Sequence, residues 1–391
     1  MKKNKKIIFG QPDVGFDEIN AINKVIKSKW LGTGPITKKF EEKFRKYKKS
    51  KYALAVNSCT AALHLSLITL GIGKGDEVIT TPMTFSSTVT SIVHSGATPV
   101  LADIDPNTFN INPNLIERKI TKKTKAIIVV HLGGLPCDMD EILKIKKKYN
   151  LFLIEDCAHA VESKYKNKHT GTFGDAGCFS FYSTKNLSTG EGGMILFKKK
   201  NFYKKAKIIS LHGLTKDAWK RSKSDNNLSK NFHYDVKEIG FKYNLTDLNS
   251  SIGLVQLKKL EKNLTKRYKL FNHYIKKLKY LPLSFQNFDK KKIRHGCHLF
   301  IVALNKNQKK TRDKLFLNLT SNKIGCGINY RSITDMSIFI QKFKWNKQTC
   351  PNSKYLGDHT ISLPLHPKMT IKDVNFICDK IKEFFINKKI I

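Results

Sequence analysis

The sequence has few acidic residues and no long apolar segment. Its 391 residues include 31 Asp and Glu against 72 Lys and Arg, which gives a formal net charge of +41. No stretch reaches the roughly 18 consecutive apolar residues that a membrane-spanning helix needs, and the lysine-rich N-terminus leads into an apolar run too short for a signal peptide. We therefore expect a cytoplasmic protein that does not insert into membranes.

Closely spaced cysteines are also absent. The eight cysteines are scattered along the chain, and no two of them form a Cys-x-x-Cys pair. Zinc sites and disulfide frameworks both depend on clustered cysteines. The sequence therefore predicts no metal site, and it favours reduced, buried cysteines over disulfides.

The positive charge raises the question of a nucleic-acid partner. The excess is mostly lysine, which occurs singly and in short runs at 146–148, 198–200 and 290–292. These runs are not accompanied by an arginine-rich helix or by the base-stacking aromatic residues of RNA-binding sheets. We therefore expect solvated lysines on helix surfaces rather than a polyanion partner.

Short apolar segments alternate with helical patterns over the first two thirds of the chain. The apolar segments are 52–56, 77–80, 98–102, 126–130 and 151–154, and helix-length segments such as 61–70 and 139–149 lie between them. Continuous β-branched runs of this length are typical of strands buried on both faces. The pattern predicts an α/β fold in which helices cover a mostly parallel sheet, and such sheets bind ligands beyond the carboxyl ends of their strands.

The last third of the chain predicts a second, smaller domain. A polar segment near 213–238 is typical of a long loop, and 248–279 has the pattern of one or two long helices. Strand and helix signals resume after about residue 280. We therefore divide the chain into a large domain, 1–260, that includes the N-terminal segment, and a small C-terminal domain, 261–391.

The first motif at a predicted strand end is a strand, a few small polar residues and a helix, over 56–63. Free backbone N–H groups and the dipole at a helix N-terminus favour a phosphate group there, and Ser or Thr hydroxyls add donors. The same residues also suit an ordinary helix cap by Asn57 or Ser58. This motif alone leaves both interpretations open.

Two further motifs carry ionisable groups. Glu155 and Asp156 close an apolar strand, where a carboxylate can pair with a cationic ring nitrogen or a metal, or cap the next helix. Lys185 follows another apolar strand, lies among small polar residues and precedes a glycine-rich turn. A lysine that is partly desolvated in this way has the lowered pKa that Schiff-base chemistry requires.

In this order, the three motifs resemble those of the DegT/DnrJ/EryC1/StrS family of pyridoxal-phosphate-dependent sugar aminotransferases. The resemblance runs from 10–12 and 30–35 to 361–366. Segments 212–221 and 240–247 resemble the members that aminate UDP-4-keto-pentose to UDP-4-amino-4-deoxy-L-arabinose, and related nucleotide-4-keto sugars. The resemblance implies fold type I, with a mixed, mainly parallel sheet in the large domain, a smaller C-terminal α/β domain, and a homodimer with shared active sites.

The resemblance also implies the roles of the cofactor-binding residues. Lys185 would bind the aldehyde of pyridoxal 5′-phosphate and move the proton between the substrate carbon and the cofactor carbon. Asp156 would pair with the pyridine nitrogen and keep it protonated. Phe85 would lie on the face of the ring, and His159 would contact the ring or its O3′ oxygen.

Further residues would hold the phosphate and the substrate. Thr60, the backbone of Ala61, and Ser180 would bind the phosphate. The substrate contacts that the resemblance implies are at Trp30, Thr33, His212, Trp219, Arg221 and Arg331.

The sequence departs from the family at two places. Many relatives have Asn where Lys242 stands, which leaves Lys242 or Asn244 to reach the cofactor phosphate of the neighbouring subunit. The His-Tyr pair that many relatives carry is absent near 327–331. The contacts that this pair makes to the sugar nucleotide in those relatives are therefore not expected here. Arg331 in the same segment could meet a pyrophosphate or remain a surface charge.

The implied reaction is a transamination. L-glutamate would give its amine to the cofactor, 2-oxoglutarate would leave, and the aminated cofactor would convert a nucleotide-linked keto sugar, at C4, to an amino sugar for surface polysaccharide or lipid A. Family members that dehydrate sugars at C3 replace the lysine with histidine, so Lys185 favours transamination. The alternative is a basic regulatory or nucleic-acid-binding protein that keeps the fold without transaminase activity.

Overall fold

A computed structural model describes residues 6–215, 235–305, 309–346 and 348–388. Its strands are β1 (Tyr52–Val56), β2 (Glu77–Thr80), β3 (Thr98–Leu101), β4 (Thr124–Val130), β5 (Phe152–Asp156), β6 (Lys164–Tyr165), β7 (Lys168–His169), β8 (Ala176–Ser180), β9 (Gly193–Phe197), β10 (Leu283–Phe285), β11 (Ile293–Arg294), β12 (Phe300–Leu304) and β13 (Thr360–Leu363). Its helices are α1 (Phe16–Lys27), α2 (Pro35–Lys48), α3 (Cys59–Thr69), α4 (Ser86–His94), α5 (Pro113–Glu117), α6 (Met139–Lys148), α7 (Lys200–Ile209), α8 (Asp247–Leu278), α9 (Lys309–Ser321), α10 (Ser337–Phe343), α11 (Pro351–His359) and α12 (Ile371–Asn387). Short 3₁₀ turns lie at Leu132–Gly134 and Ile333–Asp335.

Seven strands form the central sheet in the order β1-β9-β8-β5-β4-β2-β3. Strands β8, β5, β4, β2 and β3 pair in parallel, whereas β9 runs antiparallel to both of its neighbours, β8 and β1. The expected α/β fold with a mixed, mainly parallel sheet is confirmed. Because β4, β5 and β8 run the same way, their carboxyl ends at Val130, Asp156 and Ser180 meet at one edge of the sheet.

The central strands are apolar along their whole length because helices cover both faces of the sheet. Ile128 of β4 belongs to a buried cluster with Leu63 of α3, whereas its neighbour Ile127 belongs to another buried cluster with Ile142 of α6. Successive residues of a strand point to opposite faces. Both faces therefore need apolar side chains, which explains the continuous β-branched runs in the sequence.

Helix α8 connects the central sheet to the C-terminal part of the chain. It runs unbroken for 32 residues. Leu260 packs in a cluster with Phe40 of α2, and Leu270 packs in a second cluster with Ile377 of α12. The proposed domain boundary after residue 260 therefore lies inside this helix, and the division into two domains stays a proposal.

The C-terminal part of the chain has its own antiparallel sheet, in the order β10-β12-β13. Ile7 from the N-terminal segment packs in the same core, and its amide donates to the carbonyl of Lys323 at 3.0 Å. The expected large domain, 1–260, includes this segment, whose Ile7 contacts the C-terminal part of the chain. A third small sheet, β11-β6-β7, pairs Ile293 with Tyr165 and so joins the two parts of the chain.

The cysteines, the polar segment and the membrane expectation of the sequence can each be compared with this fold. All eight cysteines are free thiols, and all except the half-buried Cys326 are buried. The polar segment near 213–238 lies mostly outside the described residues. Within the described ranges, no helix has the length and apolar character needed to cross a bilayer.

Candidate active site

A cavity of about 450 Å³ opens where β5 and β8 end and where α3 and α4 begin. Its wall contains six of the residues expected at the site, namely Thr60, Phe85, Asp156, His159, Ser180 and Lys185. Other parts of the wall come from Ser58, Cys59, Thr84, Tyr182, Asn329 and Tyr330. The fold thus brings the three sequence motifs together at the carboxyl edge of the parallel strands, where such sheets bind ligands.

Asp156 is a buried carboxyl group that accepts hydrogen bonds from a backbone amide and from a hydroxyl. The amide of Ala158 donates to its Oδ1 at 3.1 Å, and Thr88 Oγ1 donates to its Oδ2 at 2.9 Å. The hydroxyl of Thr84 lies 2.7 Å from that of Thr88 and extends this network. Burial raises the pKa of Asp156, although the hydrogen bonds and the nearby Lys185 oppose the change. A cationic partner such as a protonated pyridine nitrogen would relieve this desolvation.

Lys185 lies in the turn after β8, and its backbone amide donates to the carbonyl of Tyr182 at 2.9 Å. Its side chain reaches the 450 Å³ cavity and also a narrow neighbouring cavity of about 70 Å³. Burial lowers the pKa of Lys185 to about 8, against the opposing effects of Cys59 and Asp156. At pH 7 the neutral, nucleophilic amine is therefore far more abundant than for an ordinary lysine.

The first turn of α3 faces the cavity and is capped by Ser58. The Ser58 side chain accepts a hydrogen bond from the amide of Ala61 at 3.0 Å. From the sequence, either Asn57 or Ser58 could cap this helix. The family resemblance implied that the backbone amide of Ala61 binds the phosphate. In the structure that amide is used by the cap, so the remaining donors of the turn are the amides of Cys59 and Thr60 and the Thr60 hydroxyl.

Phe85 and Ser180 border the cavity on different sides. Phe85 precedes the first turn of α4 and is 58% exposed, which is unusual for a phenylalanine. Its ring centroid lies 6.0 Å from that of Tyr330. Ser180 ends β8, directly opposite Gly193 of β9. An exposed aromatic face on one wall and a hydroxyl on another suit a flat ring that carries a phosphate.

His159 uses both of its ring nitrogens inside the protein. The amide of Gly133 donates to Nδ1 at 3.2 Å, and the hydroxyl of Tyr330 lies 3.0 Å from Nε2. Burial lowers the pKa of His159 well below its usual range, and Lys185 and His298 add to this effect. Neither nitrogen is left to hydrogen-bond the O3′ oxygen of a cofactor, so of the two expected contacts only packing against the ring fits this geometry.

Glu155, the neighbour of Asp156, points away from the cavity. Its carboxylate accepts hydrogen bonds from the amides of Gly171, Phe173 and Gly174, each at 2.7 Å, and lies 3.1 Å from His131 Nε2. Burial alone would raise the pKa of Glu155, but His131 and the backbone amides outweigh it and lower the pKa. Glu155 therefore orders the 171–174 loop.

A second group of expected residues lies outside this cavity. Asn244 Nδ2 donates to Thr33 Oγ1 at 2.5 Å, and the indole of Trp30 donates to the carbonyl of Thr33 at 3.2 Å. Lys242 is exposed, and its carbonyl accepts from Asn57 Nδ2 at 3.2 Å. The structure thus brings Trp30, Thr33 and Asn244 to each other but not to Lys185 of the same subunit.

The remaining expected substrate contacts are dispersed. His212 is exposed, with a φ of 55°, and its amide donates to the carbonyl of Phe241 at 2.8 Å. Arg331 directly follows Tyr330, but its guanidinium donates to the carbonyl of Asp335 at 3.3 Å and does not line the cavity. Trp219 and Arg221 lie outside the described residues.

Sequence reasoning missed two residues of this site. Thr88 lies in the first turn of α4, and Thr84 lies four residues earlier, just before the helix begins, a spacing that can bring the two hydroxyls together. Tyr330 was not among the expected site residues, because the His-Tyr pair of many relatives is absent near 327–331, where Asn329 precedes the tyrosine. The structure places Tyr330 in the wall of the cavity regardless of that substitution.

The comparisons with known proteins agree with this geometry. The model of the DegT/DnrJ/EryC1/StrS aminotransferase family matches residues 12–382. The chain belongs to this family. Its family and structural neighbours are sugar aminotransferases that use pyridoxal phosphate, and this chain is accordingly a pyridoxal-phosphate-dependent enzyme.

Two solved structures and one relative show how far this likeness extends. The spore coat polysaccharide biosynthesis protein SpsC of Bacillus subtilis is 39% identical to this aminotransferase over 384 residues, which cover 98% of each chain. The putative sugar aminotransferase Spr1654 of Streptococcus pneumoniae, in its PMP form, matches with a TM-score of 0.90 and 30% identity over 97% of this chain and 98% of that one. Helicobacter pylori PseC, an aminotransferase involved in the biosynthesis of pseudoaminic acid, matches with a TM-score of 0.89 and 28% identity over 98% of this chain and 100% of that one.

Proposed function

We propose that this aminotransferase moves the amino group of L-glutamate to the keto carbon, C4, of a nucleotide-linked keto sugar. The observation that carries the proposal is that Lys185, Asp156 and the first turn of α3 border one cavity of about 450 Å³. Each of them suits a different part of pyridoxal phosphate: the aldehyde, the ring nitrogen and the phosphate. The names of SpsC, a spore coat polysaccharide biosynthesis protein, and PseC, an aminotransferase of pseudoaminic acid biosynthesis, support a sugar substrate and a product used in surface polysaccharide. We extend the proposal to lipid A sugars as the alternative use of the product.

The residues around the cavity have separate tasks in this proposal. When bound, pyridoxal phosphate supplies an electron sink that makes the hydrogen on the substrate carbon acidic. Lys185 Nζ takes up this proton and returns it, because its lowered pKa of about 8 lies near neutral pH. Asp156 holds the positive charge at the ring nitrogen. Thr60 and Ser180 anchor the phosphate, and Phe85 covers the ring.

We also propose that the enzyme acts in the cytoplasm as a homodimer with shared sites. Helix α1 exposes the apolar side chains of Phe16, Ile19 and Ile26, which are 74%, 54% and 54% exposed in a single chain. Contiguous apolar surface of this kind usually marks a protein interface. Asn244, whose buried Oδ1 has no hydrogen-bond partner among the described residues, and the exposed Lys242 are the residues proposed to reach the partner's cofactor phosphate.

Visible absorption of the purified protein tests the proposal. We expect pyridoxal phosphate to give wild type a yellow band that L-glutamate removes, and we expect Lys185→Ala to lose the lysine-linked band. Lys276→Ala, at an exposed position of α8, is the matched control and should keep it. Failure of wild type to bind supplied pyridoxal phosphate would refute the proposal.

Product analysis tests the finer parts of the proposal. The enzyme loaded with amine by L-glutamate is offered a UDP-4-keto-pentose or a UDP-3-keto sugar, and mass spectrometry and NMR locate the new amine. An amine at C3 alone would contradict C4 amination. A panel of amino donors in which L-glutamate is not preferred would contradict the proposed donor.

A further inference from the structure

Tyr330 occupies a position between the two cavities that meet at Lys185. Its side chain lines both of them, and its ring packs almost parallel to that of His159, at a centroid distance of 5.8 Å and an interplanar angle of 15°. The opposite neighbour is Phe85, 6.0 Å away between ring centroids. The phenol is therefore held by aromatic packing at the place where a substrate and Lys185 would meet.

The hydrogen bonds of His159 fix where its proton lies. The amide of Gly133 can only donate, so His159 Nδ1 must be the acceptor at 3.2 Å. Burial lowers the pKa of His159 well below its usual range, so the ring is neutral and carries its single proton on Nε2. That N–H therefore donates to the Tyr330 oxygen, 3.0 Å away.

The phenolic proton of Tyr330 points to neither of the two nearby acceptors, His159 and Asn329. His159 Nε2–H already occupies one lone pair of the phenol oxygen, so the phenol cannot donate back to it. Asn329 Oδ1, an acceptor on the adjacent residue, is buried and has no hydrogen-bond partner in the part of the chain that the structure describes, so it does not receive this proton either. Burial raises the pKa of Tyr330 above its usual range and Asp156 adds to the effect, whereas a hydrogen bond with the Asn329 side chain opposes it, so the phenol keeps its proton at neutral pH.

We propose that Tyr330, oriented by His159, is a catalytic residue that donates its phenolic hydrogen bond to an oxygen at the reacting centre. The inference rests on the proposed function and assigns a proton donor within the same cavity. The recipient is an oxygen that carries negative charge, and such an oxygen has two sources. One is the O3′ oxygen of the cofactor, and the other is the oxygen at the keto carbon of the substrate. A hydrogen bond from a fixed donor strengthens as this charge develops.

The test compares Tyr330→Phe with wild type in the enzyme loaded with cofactor. The variant keeps the ring that packs on His159 and Phe85 and loses only the hydroxyl. Tyr355→Phe is the matched control, because its hydroxyl donates to the carbonyl of Leu304, at 3.1 Å, away from the cavity. For each protein, the visible band is titrated with pH in the absence of substrate, and kcat and KM are then measured with the sugar nucleotide.

The two sources of the oxygen give different results. If O3′ is the recipient, the midpoint of the titration is higher in Tyr330→Phe than in wild type by one pH unit or more. Without the hydrogen bond, O3′ keeps more negative charge and holds more tightly the proton on the nitrogen that would join Lys185 to the cofactor. If the substrate oxygen is the recipient, the midpoint stays and kcat falls about 10- to 100-fold with little change in KM.

The inference is overturned if Tyr330→Phe binds cofactor and matches wild type within twofold in both kcat and KM, with the same titration midpoint. A change equal to that of Tyr355→Phe also overturns it. Failure of the proposed function is a separate result, because wild type itself would then show no visible band.

Discussion

Replacing Thr88 with Val removes a hydrogen bond to Asp156 while keeping the shape of the side chain. Thr88 Oγ1 donates to Asp156 Oδ2 at 2.9 Å, and both side chains are buried. A hydrogen bond to a charged group contributes about 1.5–3 kcal/mol. At about 1.4 kcal/mol per factor of ten, we expect Thr88→Val to bind pyridoxal phosphate about 10- to 100-fold more weakly.

The affinity that Thr88→Val loses for pyridoxal phosphate should also depend on pH. Burial already raises the pKa of Asp156, and the Thr88 hydrogen bond is one of the effects that oppose it. Without that bond the pKa rises further, so at a given pH a larger share of the carboxyl groups is protonated and cannot pair with the ring nitrogen. The loss of affinity should therefore shrink as the pH is raised, because Asp156 then ionises in the variant too.

The assay is a titration of cofactor-free protein with pyridoxal phosphate, followed by absorbance at several pH values. Thr88→Ser keeps the hydroxyl and should bind like wild type. Thr90→Val makes the same change on α4, where the hydroxyl donates to the carbonyl of Ser87 at 3.4 Å, and serves as the control. If Thr88→Val binds as tightly as wild type, or if its deficit is the same at every pH, the assigned role of this hydrogen bond is refuted.

Three further predictions follow from buried ionisable groups. Acylation of Lys185 in cofactor-free protein, followed by mass spectrometry, should show a midpoint near its pKa of about 8, and a midpoint above 10 would contradict its desolvation. Burial raises the pKa of Glu41 to about 7, so its carboxyl group favours folding below pH 4.5 and loses this contribution as the pH rises through 7. Glu41→Gln, which can still accept from the Ala55 amide, should therefore melt at a higher temperature than wild type at pH 8, with the difference disappearing near pH 4.5. Glu162→Gln leaves the charge of Arg267 buried without its ion-pair partner and should cost about 3–5 kcal/mol, so an unchanged melting temperature would contradict the burial of this pair.

The fold class was predictable from the sequence because it depends on local patterns. The apolar runs at 52–56 and 77–80 coincide with β1 and β2, and the run at 126–130 lies within β4. Helices on both faces of a sheet require such apolar runs, so these strands can be recognised without any knowledge of tertiary structure. The antiparallel direction of β9 was not predictable in this way, because it depends on which neighbours the strand pairs with.

The candidate site was predictable where a residue sits in a motif at a strand end. Asp156 and Lys185 meet in one cavity because parallel strands end at the same edge of the sheet. The sequence did not predict that Tyr330 and Thr88 belong to the site, because their positions depend on how separate elements pack. The grouping of Thr33 with Asn244, away from Lys185, depends on the same long-range packing.

The loop that carries Lys185 is anchored at both ends by interior strands. It joins β8 to β9, and β8 lies between β5 and β9, while β9 lies between β8 and β1. Each end is thus bonded to strands on two sides, and the amide of Phe181 also donates to the carbonyl of Gly192, at 2.8 Å, across the base of the loop. Tyr182 and Thr184 are the exposed loop residues next to the cavity, and they can therefore be exchanged in an engineered enzyme to alter the approach of the substrate, while the base keeps the lysine in register with Asp156.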